Sequence, residues 1–337
     1  MKQKSRREPL LKRNGKRAYS WRERLQVICD KFAHLDANGS KIISDQTKML
    51  RHDRLKQCFR ELRELGYKLE DPRGLKPKHV QALVQHWEAT GKAASTIQNM
   101  VSALRTFAVW IGKAGMVKDT ASYASSPERV KVTTSATESK AWSDNEVGIA
   151  ETIANVGARD SRVAMQLRLC LAFGLRRKEA VMLRPHRADK GMYLAVTDGT
   201  KGGRDRVVPI NSASKRETLD AAKAFVGPVL DAHMGGGQTL KQALNRFSNV
   251  LHRSGVNLRM LGVTGHGLRH EYLNGRYEEI SGEKSPVRGG ARPDKHTEAH
   301  ARAAVAEEAG HTRSSITSAY TGTHRNLARV KNRRRGA

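Results

Sequence analysis

The stretch VAMQLRLCLAFGLRRKE, residues 163–179, joins a strongly apolar segment to a charged turn. Apolar residues dominate its first part, which predicts a helix that ends at Gly174. Directly after this helix come Arg176, Arg177 and Glu179, at a place where a plain fold has little need of charge. The stretch therefore predicts a helical domain that holds a cationic group at the end of one apolar helix.

Downstream of this helix the pattern changes to a short β-hairpin and then returns to helices. The strand-like segments YLAVTD and RVVPI flank the glycine-containing turn TKGGRD, which carries Lys201. Helical patterns resume in three segments: KRETLDAAKAFV, TLKQALNRFSNVL and HGLRHEYLNGRYEE. The C-terminal half is thus expected to be mainly helical, with a small sheet inserted early.

The first half of the chain reads as a series of amphipathic helices. One of them carries Leu55, Phe59, Leu62 and Leu65 at helical spacing and is predicted to end at Gly66. Stripes of this kind form a core, so an all-helical domain of about a hundred residues is expected there.

Between these two regions the apolar period is lost. The segment KDTASYASSPERVKVTTSATESK is rich in serine and threonine and is predicted to be a linker. Order resumes at Ser143, which with Glu146 fits a capping box at the start of a helix. The predicted organisation has four parts: a basic arm (1–20), a helical domain (21–117), a linker (118–142) and a second domain with a basic tail (143–337).

The charge balance indicates a polyanionic partner. The sequence has 62 lysines and arginines against 33 aspartates and glutamates, a formal net charge of +29 over 337 residues. Both halves are basic, since residues 1–125 hold 26 basic and 12 acidic side chains. Nucleic acid therefore ranks ahead of a membrane surface as the partner. No run approaches the ~18 apolar residues of a membrane span, and the basic N-terminus lacks the apolar segment of a signal peptide.

The three cysteines are Cys29, Cys58 and Cys170. They are odd in number and far apart, so they form neither a disulfide framework nor a zinc-binding pattern. We expect buried thiols of a protein that resides in a reducing cytosol.

Three further motifs place phosphate-binding and proton-transferring groups in the C-terminal half, in addition to the turn after the apolar helix. The first is the TKGG turn of the hairpin, and the second is HGLRH, residues 266–270. The third is AGH, residues 309–311, with Tyr320 nine residues further on, in a helix that Ser314 or Ser315 would cap. Each motif alone is a common surface or core pattern.

Together, and in this order, the four motifs resemble those of the tyrosine recombinase (phage integrase) family, over nearly the whole chain. The residues that match the family's catalytic set are Arg176 in G-L-R-x-x-E, Lys201 in T-K-G-G, His266 and Arg269 in H-x-L-R-H, His311 in the G-H pair, and Tyr320 at the family's interval. The resemblance implies a mostly α fold: an N-terminal helical core DNA-binding domain of SAM-like type, then a mixed α/β, mainly helical catalytic domain with a small β-hairpin sheet.

The resemblance also implies an activity, in which DNA strands are cut and rejoined through a 3′-phosphotyrosine intermediate without metal or ATP. A phosphodiester gains negative charge in its transition state, and the planar forks of Arg176 and Arg269 suit its oxygens in a way that lysine cannot copy. Tyr320 would be the nucleophile, because a phenol of pKa about 10 is easier to deprotonate than serine. Glu179 would brace Arg176 rather than react.

Three other residues would handle protons and hydrogen bonds in that reaction. Lys201 would protonate the departing 5′-oxygen, and His266 would handle the tyrosine proton. His311 would add a hydrogen bond to the scissile phosphate. We expect His270 and Arg177 to be framework residues.

The resemblance implies double-stranded DNA with recombination sites as the partner, a homotetramer on that DNA, and room for an accessory directionality factor. No cofactor and no membrane partner is expected, and the expected location is a bacterial cytoplasm, associated with the nucleoid. Two alternatives stay open. One is a type IB topoisomerase that nicks and closes DNA without partners, and the other is a non-catalytic DNA-binding protein on the same fold.

The chain departs from the family between Arg269 and His311, which are 42 residues apart. The surplus is SGEKSPVRGGARPDKHTEAH, residues 281–300, which is rich in glycine, proline and charge. We expect a tolerated surface loop, ahead of an insertion that contacts DNA or another subunit. The basic segment after Tyr320 is expected to contact either a neighbouring subunit or DNA.

Overall fold

The computed structural model describes residues 19–36 and 42–328, which form two compact units that divide after Val132. Each unit has its own hydrophobic core. The predicted basic arm, apart from its last two residues, and the end of the basic tail lie outside the described residues, so both remain predictions.

The first unit is all-helical in its described part, as predicted. Its helices are α1 (Trp21–Phe32), α2 (Asp45–Glu64), α3 (Pro77–Ala89) and α4 (Ala94–Trp110). The predicted stripe on α2 buries Leu55, Phe59 and Leu62, whereas Leu65 is exposed because the helix has already ended. The helix ends at Glu64, and Gly66, two residues later, has a φ of +90° that is readily adopted only by a residue without a side chain.

The boundary between the units falls inside the predicted linker, 118–142, but both ends of that segment are packed. Tyr123 and Val130 are buried in the core of the first unit. Trp142 is fully buried in the core of the second unit. The serine- and threonine-rich segment therefore contains the boundary between the two units, but it is not an unpacked linker.

The predicted capping box at Ser143 is wrong. Ser143–Asn145 is a single 3₁₀ turn, Glu146 has a φ of +60°, and the next helix begins only at Ile149. The Ser143 hydroxyl instead donates to the Glu271 carboxylate at 2.8 Å, and its backbone N–H donates to the other oxygen at 3.0 Å. A carboxylate from a distant helix thus replaces the local cap.

The second unit is mainly helical with a small sheet, which confirms the predicted fold class. Its helices are α5 (Ile149–Arg159), α6 (Ser161–Phe173), α7 (Arg177–Met182), α8 (Pro185–Ala188), α9 (Ala213–Val226), α10 (Leu240–Arg253), α11 (Gly267–Ser281), α12 (Lys295–Glu308) and α13 (Ser318–Thr321). Strands β1 (Tyr193–Val196) and β2 (Arg206–Pro209) pair antiparallel, with Tyr193 opposite Pro209. They form the predicted hairpin.

Helix α6 is the centre of this unit, because it packs against α5, α9 and α11. Its buried residues include Val163, Leu167, Leu169, Cys170 and Phe173, which belong to the apolar stretch of the sequence. Burial of these side chains contributes about 1.5–3 kcal/mol each to folding. The helix therefore supplies a rigid base for the charged turn that follows it.

The first part of the insertion is not the surface loop that we predicted. Ser285 and Pro286 are buried, and Pro286–Arg288 forms a 3₁₀ turn. From Lys295 onward the inserted residues form the beginning of α12. The segment is exposed only in part, at positions such as Gly282 and Lys284.

All three cysteines are buried free thiols, as expected. Burial raises the pKa of Cys29 and of Cys170 to about 12, so neither thiol is reactive near neutral pH. Among the described residues, no helix has the length and apolarity that a membrane span requires.

Candidate active site

The turn after α6 places Arg176 at the edge of the core. Gly174 has a φ of +60°, and a Cβ atom there would lie 2.4 Å from the Tyr272 ring, so only glycine fits. The chain then enters α7, with Arg176 as the residue before the helix. Its backbone N–H and its Nη1 donate to the two oxygens of Glu179, both at 2.7 Å. Glu179 therefore braces Arg176, in the manner that its spacing predicts.

A second arginine, Arg206 on β2, shares the carboxylate of Glu179. Its Nη1 and Nη2 donate to the two Glu179 oxygens at 2.7 and 2.8 Å. The side chains of Glu179 and Arg206 are 0% and 2% exposed. Burial alone would raise the pKa of Glu179, but the hydrogen bonds and charge of Arg206, with Arg176, lower it to about 2. The carboxylate is therefore ionised throughout the physiological range.

Sequence reasoning missed Arg206. The available signal was its position at the start of β2, where residues alternate between the core face and the solvent face. Arg206 is on the core face, and its Nε donates to the backbone carbonyl of Glu308 at 2.7 Å. An arginine on the buried face of a strand needs such partners, because an unpaired buried charge is costly.

The C-terminal end of α12 is the point at which both predicted phosphate-binding arginines meet. The carbonyl of Ala309 accepts from Arg176 Nη2 at 2.9 Å and from Arg269 Nη2 at 2.7 Å. Carbonyls at a helix C-terminus carry partial negative charge, which favours guanidinium groups there. The two arginines, 93 residues apart in sequence, are therefore brought to one place.

Helix α11 positions His266 and Arg269. It begins at Gly267, where a Cβ atom would lie 2.5 Å from the Lys140 carbonyl and 2.6 Å from the Trp142 ring. Within the first turn of the helix, Arg269 is fully buried. Its Nη1 donates to the carbonyl of Gly174, which ties α11 to the turn after α6.

The phenol of Tyr320 lies against Arg269. Tyr320 is on α13, 7% exposed, and its Oη accepts from Arg269 Nε at 3.2 Å. The predicted side-chain cap by Ser314 or Ser315 is wrong, since these residues form a 3₁₀ turn that leads directly into α13. The tyrosine is thus held by tertiary contacts rather than by a long, capped helix.

Three histidine rings surround the phenol. The ring centroids of His270, His311 and His266 lie 4.8, 5.7 and 6.0 Å from that of Tyr320. Loss of hydrating water and the charges of Arg269 and Arg176 lower the pKa of His266 and of His311 to about 4. The imidazoles of these two residues are therefore neutral at physiological pH, and their nitrogen lone pairs are only weakly basic.

Lys201 is the one predicted site residue that the structure does not bring into the cluster. It lies in the Lys201–Gly203 turn between β1 and β2, where every residue is exposed. Its side chain makes no hydrogen bond or ion pair with the described residues. Its positive charge adds a smaller contribution to the lowered pKa of His311, after burial and the charges of Arg269 and Arg176. A cavity of about 440 Å³ beside β2 is lined by Arg204, Val207 and His311 among others.

The arrangement can bind and polarise an oxyanion beside a phenol. Each arginine has five N–H donors, and the named contacts occupy two donors of Arg176 and three of Arg269. The remaining donors number three on Arg176, whose side chain is partly exposed, and two on Arg269, whose side chain is fully buried. Within residues 19–36 and 42–328, no group of three or more histidine, cysteine or carboxylate side chains could hold a metal ion.

Two family models match the sequence. One, described as "Integrase", matches residues 131–275, and the other, described as "Phage integrase, N-terminal", matches residues 24–117. Together they span more than half of the chain, and the first ends before the insertion, His311 and Tyr320. No curated protein matches the sequence significantly.

The fold is similar to that of several solved DNA complexes. A lambda integrase (75–356) dimer bound to a COC′ core site matches with a TM-score of 0.59 and 17% identity, covering 89% of this chain and 95% of that chain. The Tn1549 transposon integrase in complex with transposon right end DNA matches with a TM-score of 0.56 and 14% identity, covering 93% and 99%. A lambda integrase tetramer bound to a Holliday junction matches with a TM-score of 0.52 and 17% identity, covering 76% and 70%. At these identities the likeness shows the fold.

Proposed function

Because the chain belongs to the phage integrase family of tyrosine recombinases, we propose that it is a site-specific DNA recombinase that acts through a 3′-phosphotyrosine intermediate. The observation that carries this proposal is the position of Tyr320, whose Oη lies 3.2 Å from Arg269 Nε among neutral imidazoles. The net charge of +29 supports double-stranded DNA as the substrate.

In the proposed reaction, Tyr320 Oη attacks the scissile phosphorus, so that a P–Oη bond forms and the P–O5′ bond breaks. The phenol proton passes to the imidazole of His266, which is free to accept it because it is neutral. The O5′ atom takes a proton from Lys201. One ester replaces another, so the bond energy is retained and the 5′-hydroxyl can rejoin the strand without ATP. Neither a metal nor a nucleotide takes part in this scheme.

Two arginines and a histidine would stabilise the charge that develops on the phosphate. The free donors of Arg176 and Arg269 would bind the non-bridging oxygens, and His311 would add a further hydrogen bond. Donors held in place before the reaction lose little entropy, and removing one typically costs a factor of about 10²–10³ in rate. The brace from Glu179 and Arg206 supplies that preorganisation.

We further propose that the active assembly is a homotetramer on two recombination sites. The support is the similarity of this chain's fold to that of lambda integrase, which has been captured as a tetramer bound to a Holliday junction. An accessory directionality factor would act on that assembly rather than on the chemistry of Tyr320.

A suicide-substrate experiment tests the proposed chemistry. A duplex that the protein selects from a random-sequence pool is nicked next to the cleavage point, so that the released fragment diffuses away and the covalent complex accumulates. The wild-type protein should form an SDS-stable adduct, in the presence of EDTA as well. Tyr320→Phe should form none, whereas Tyr193→Phe, which alters an exposed tyrosine of β1, should react like the wild type.

The same assay separates the alternatives. An adduct that persists in Tyr320→Phe would contradict the nucleophile assignment, and absence of an adduct in the wild type would favour a non-catalytic DNA-binding protein. Relaxation of a supercoiled plasmid by the monomer at any sequence would favour a type IB topoisomerase.

A further inference from the structure

The insertion reaches the backbone of the tyrosine segment through a buried hydrogen-bond relay. The Ser285 hydroxyl donates to Asn274 Oδ1 at 2.5 Å, and both residues are fully buried. The amide nitrogen of Asn274 donates to the carbonyl of His270 at 2.8 Å and lies 3.4 Å from the carbonyl of Tyr320. With Oδ1 engaged by Ser285, the amide can present only its N–H groups to α13.

A second contact lies at the residue that ends α13. Gly322 has a φ of +70°, and a Cβ atom there would be 3.0 Å from the Ala136 carbonyl and 3.2 Å from Val287 Cβ. The inserted Val287 therefore closes one side of the turn that follows Tyr320. The Ala136 N–H also donates to the carbonyl of Ser318 at 2.7 Å.

A third contact comes from the far end of the insertion. Glu298 accepts from Arg302 Nε at 3.0 Å and from Arg292 Nε at 3.0 Å. Arg302 in turn donates to the carbonyl of Gly322 at 3.3 Å and to the Thr321 hydroxyl at 3.4 Å. An inserted carboxylate thus orients Arg302, which bonds to the last residue of α13 and to the glycine that follows it.

Arg288 anchors the insertion to the rest of the second unit. Its side chain is 12% exposed and pairs with Asp144 at 2.7 Å and with Glu271 at 2.6 Å. Its Nη2 also lies 3.4 Å from the Ser143 hydroxyl. The inserted turn is closed on itself, since a Cβ atom at Gly290 would overlap the carbonyl of Lys284. A turn that is both closed and anchored can hold a neighbouring segment in place.

We propose that residues 285–298 form a positioning element that holds α13, so that Tyr320 Oη stays beside Arg269 in the chain's own active site. The role rests on the proposed function, because it matters for rate only if Tyr320 is the nucleophile. Helix α13 has a single turn and no side-chain cap, so it cannot fix its own position. A misplacement of about 1 Å between reacting atoms can cost on the order of 100-fold in rate.

The first test uses the protein without DNA and measures hydrogen exchange of the peptide that contains residues 318–322. Arg288→Gln removes the anchor, and Ser285→Ala removes the relay to Asn274. Lys284→Gln is the matched control, because it removes one positive charge from an exposed position of the same insertion. Both test variants should exchange at least tenfold faster in this peptide than the control, with unchanged exchange in α6.

The second test measures DNA affinity and single-turnover adduct formation with the selected suicide duplex. Arg288→Gln and Ser285→Ala should form the adduct 10–100-fold more slowly while binding DNA within about twofold of the wild type. A 5′-bridging sulfur removes the need to protonate the leaving group. Because these variants would misplace the nucleophile and leave the proton donor unchanged, the sulfur substrate should not restore their rates. Arg288→Lys, which keeps the charge but cannot fork between two carboxylates, should fall between Arg288→Gln and the wild type.

Each outcome decides the inference. Unchanged exchange at residues 318–322, or a wild-type cleavage rate despite faster exchange, would overturn it. If Ser285→Ala fails to fold, Arg288→Gln decides alone, since its side chain lies at the margin of the core. If the wild type forms no adduct on any DNA, the proposed function fails, and the exchange experiment still shows whether the insertion holds α13.

Discussion

Two parts of the candidate active site differ sharply in how their side chains are held. The braced cluster, Arg176, Glu179, Arg206 and Arg269, is joined by hydrogen bonds of 2.7–2.9 Å to carboxylate and helix-end carbonyl oxygens. The Lys201 turn is exposed throughout, and its lysine bonds to none of the described residues. Groups that stabilise charge must be placed before the reaction, whereas a proton donor needs to approach only once the leaving oxygen is in place. The difference in packing thus agrees with the different chemical roles that we propose for the two parts.

The largest effect is expected from removing the carboxylate of the braced cluster. Glu179→Ala leaves Arg206 buried without a counter-charge, which should lower the free energy of unfolding by about 3–5 kcal/mol and abolish rapid cleavage. Denaturant unfolding checks the first effect and the suicide duplex the second. Asp205→Ala, which removes an exposed carboxylate beside the Lys201 turn, should change the free energy of unfolding by less than about 0.5 kcal/mol. Equal losses in the free energy of unfolding for Glu179→Ala and Asp205→Ala would contradict the difference between the braced cluster and the Lys201 turn.

Substitution of Lys201 should slow the chemistry without affecting stability. Lys201→Ala is expected to cleave an ordinary strand about 10²–10⁴-fold more slowly, because the 5′-alkoxide is a poor leaving group without its proton. A 5′-bridging sulfur leaves as a thiolate, so this variant should cleave the sulfur substrate nearly as fast as the wild type. Arg176→Ala should remain slow on both substrates. Failure of sulfur to rescue Lys201→Ala would mean that the lysine binds phosphate and that the proton comes from elsewhere.

The smallest effect concerns pH and the histidines that line the braced cluster. Burial, reinforced by the charges around it, lowers the pKa of His270 to about 3, against about 6.5 in the unfolded chain. Between these values the unfolded chain binds a proton that the folded chain does not, so stability falls as the pH falls from about 7 toward 3. His270→Gln should reduce the loss between pH 7 and pH 5 by on the order of 1–2 kcal/mol, measured by denaturant unfolding at both pH values. An identical pH dependence in variant and wild type would show that His270 is not the group responsible.

The braced cluster also shows how far the sequence could be read. Glu179 lies three residues from Arg176 at the start of a helix, so its bracing contact follows from local spacing. Arg206 is 27 residues from Glu179, and no local rule pairs a strand residue with a residue of a helix turn. Only the face of the strand on which it lies, once the hairpin is packed, makes the pairing necessary.

In the insertion and in the segment before α5, local sequence patterns gave wrong predictions. Composition predicted a loop at residues 281–300, and spacing predicted a cap at Ser143, yet both were settled by the same distant group. Glu271 accepts from Ser143 and pairs with Arg288, across 128 and 17 residues of sequence. Hydrogen bonds to a carboxylate are stronger than those between neutral groups, so such a long-range contact can outweigh a local cap.

The sequence by itself determined the main helices, the hairpin and the family to which the chain belongs, since helix periodicity and the motifs around Arg176 and His266 are local patterns. The tertiary structure alone decided which of these groups meet. Arg176 and Arg269 converge on one carbonyl at the end of α12, Tyr320 lies against Arg269, and Lys201 remains outside the cluster. Such contacts require the closure of loops of tens of residues around a common core. The free energy for this closure comes from burial and from charge pairing between distant segments, and no local sequence pattern encodes that pairing.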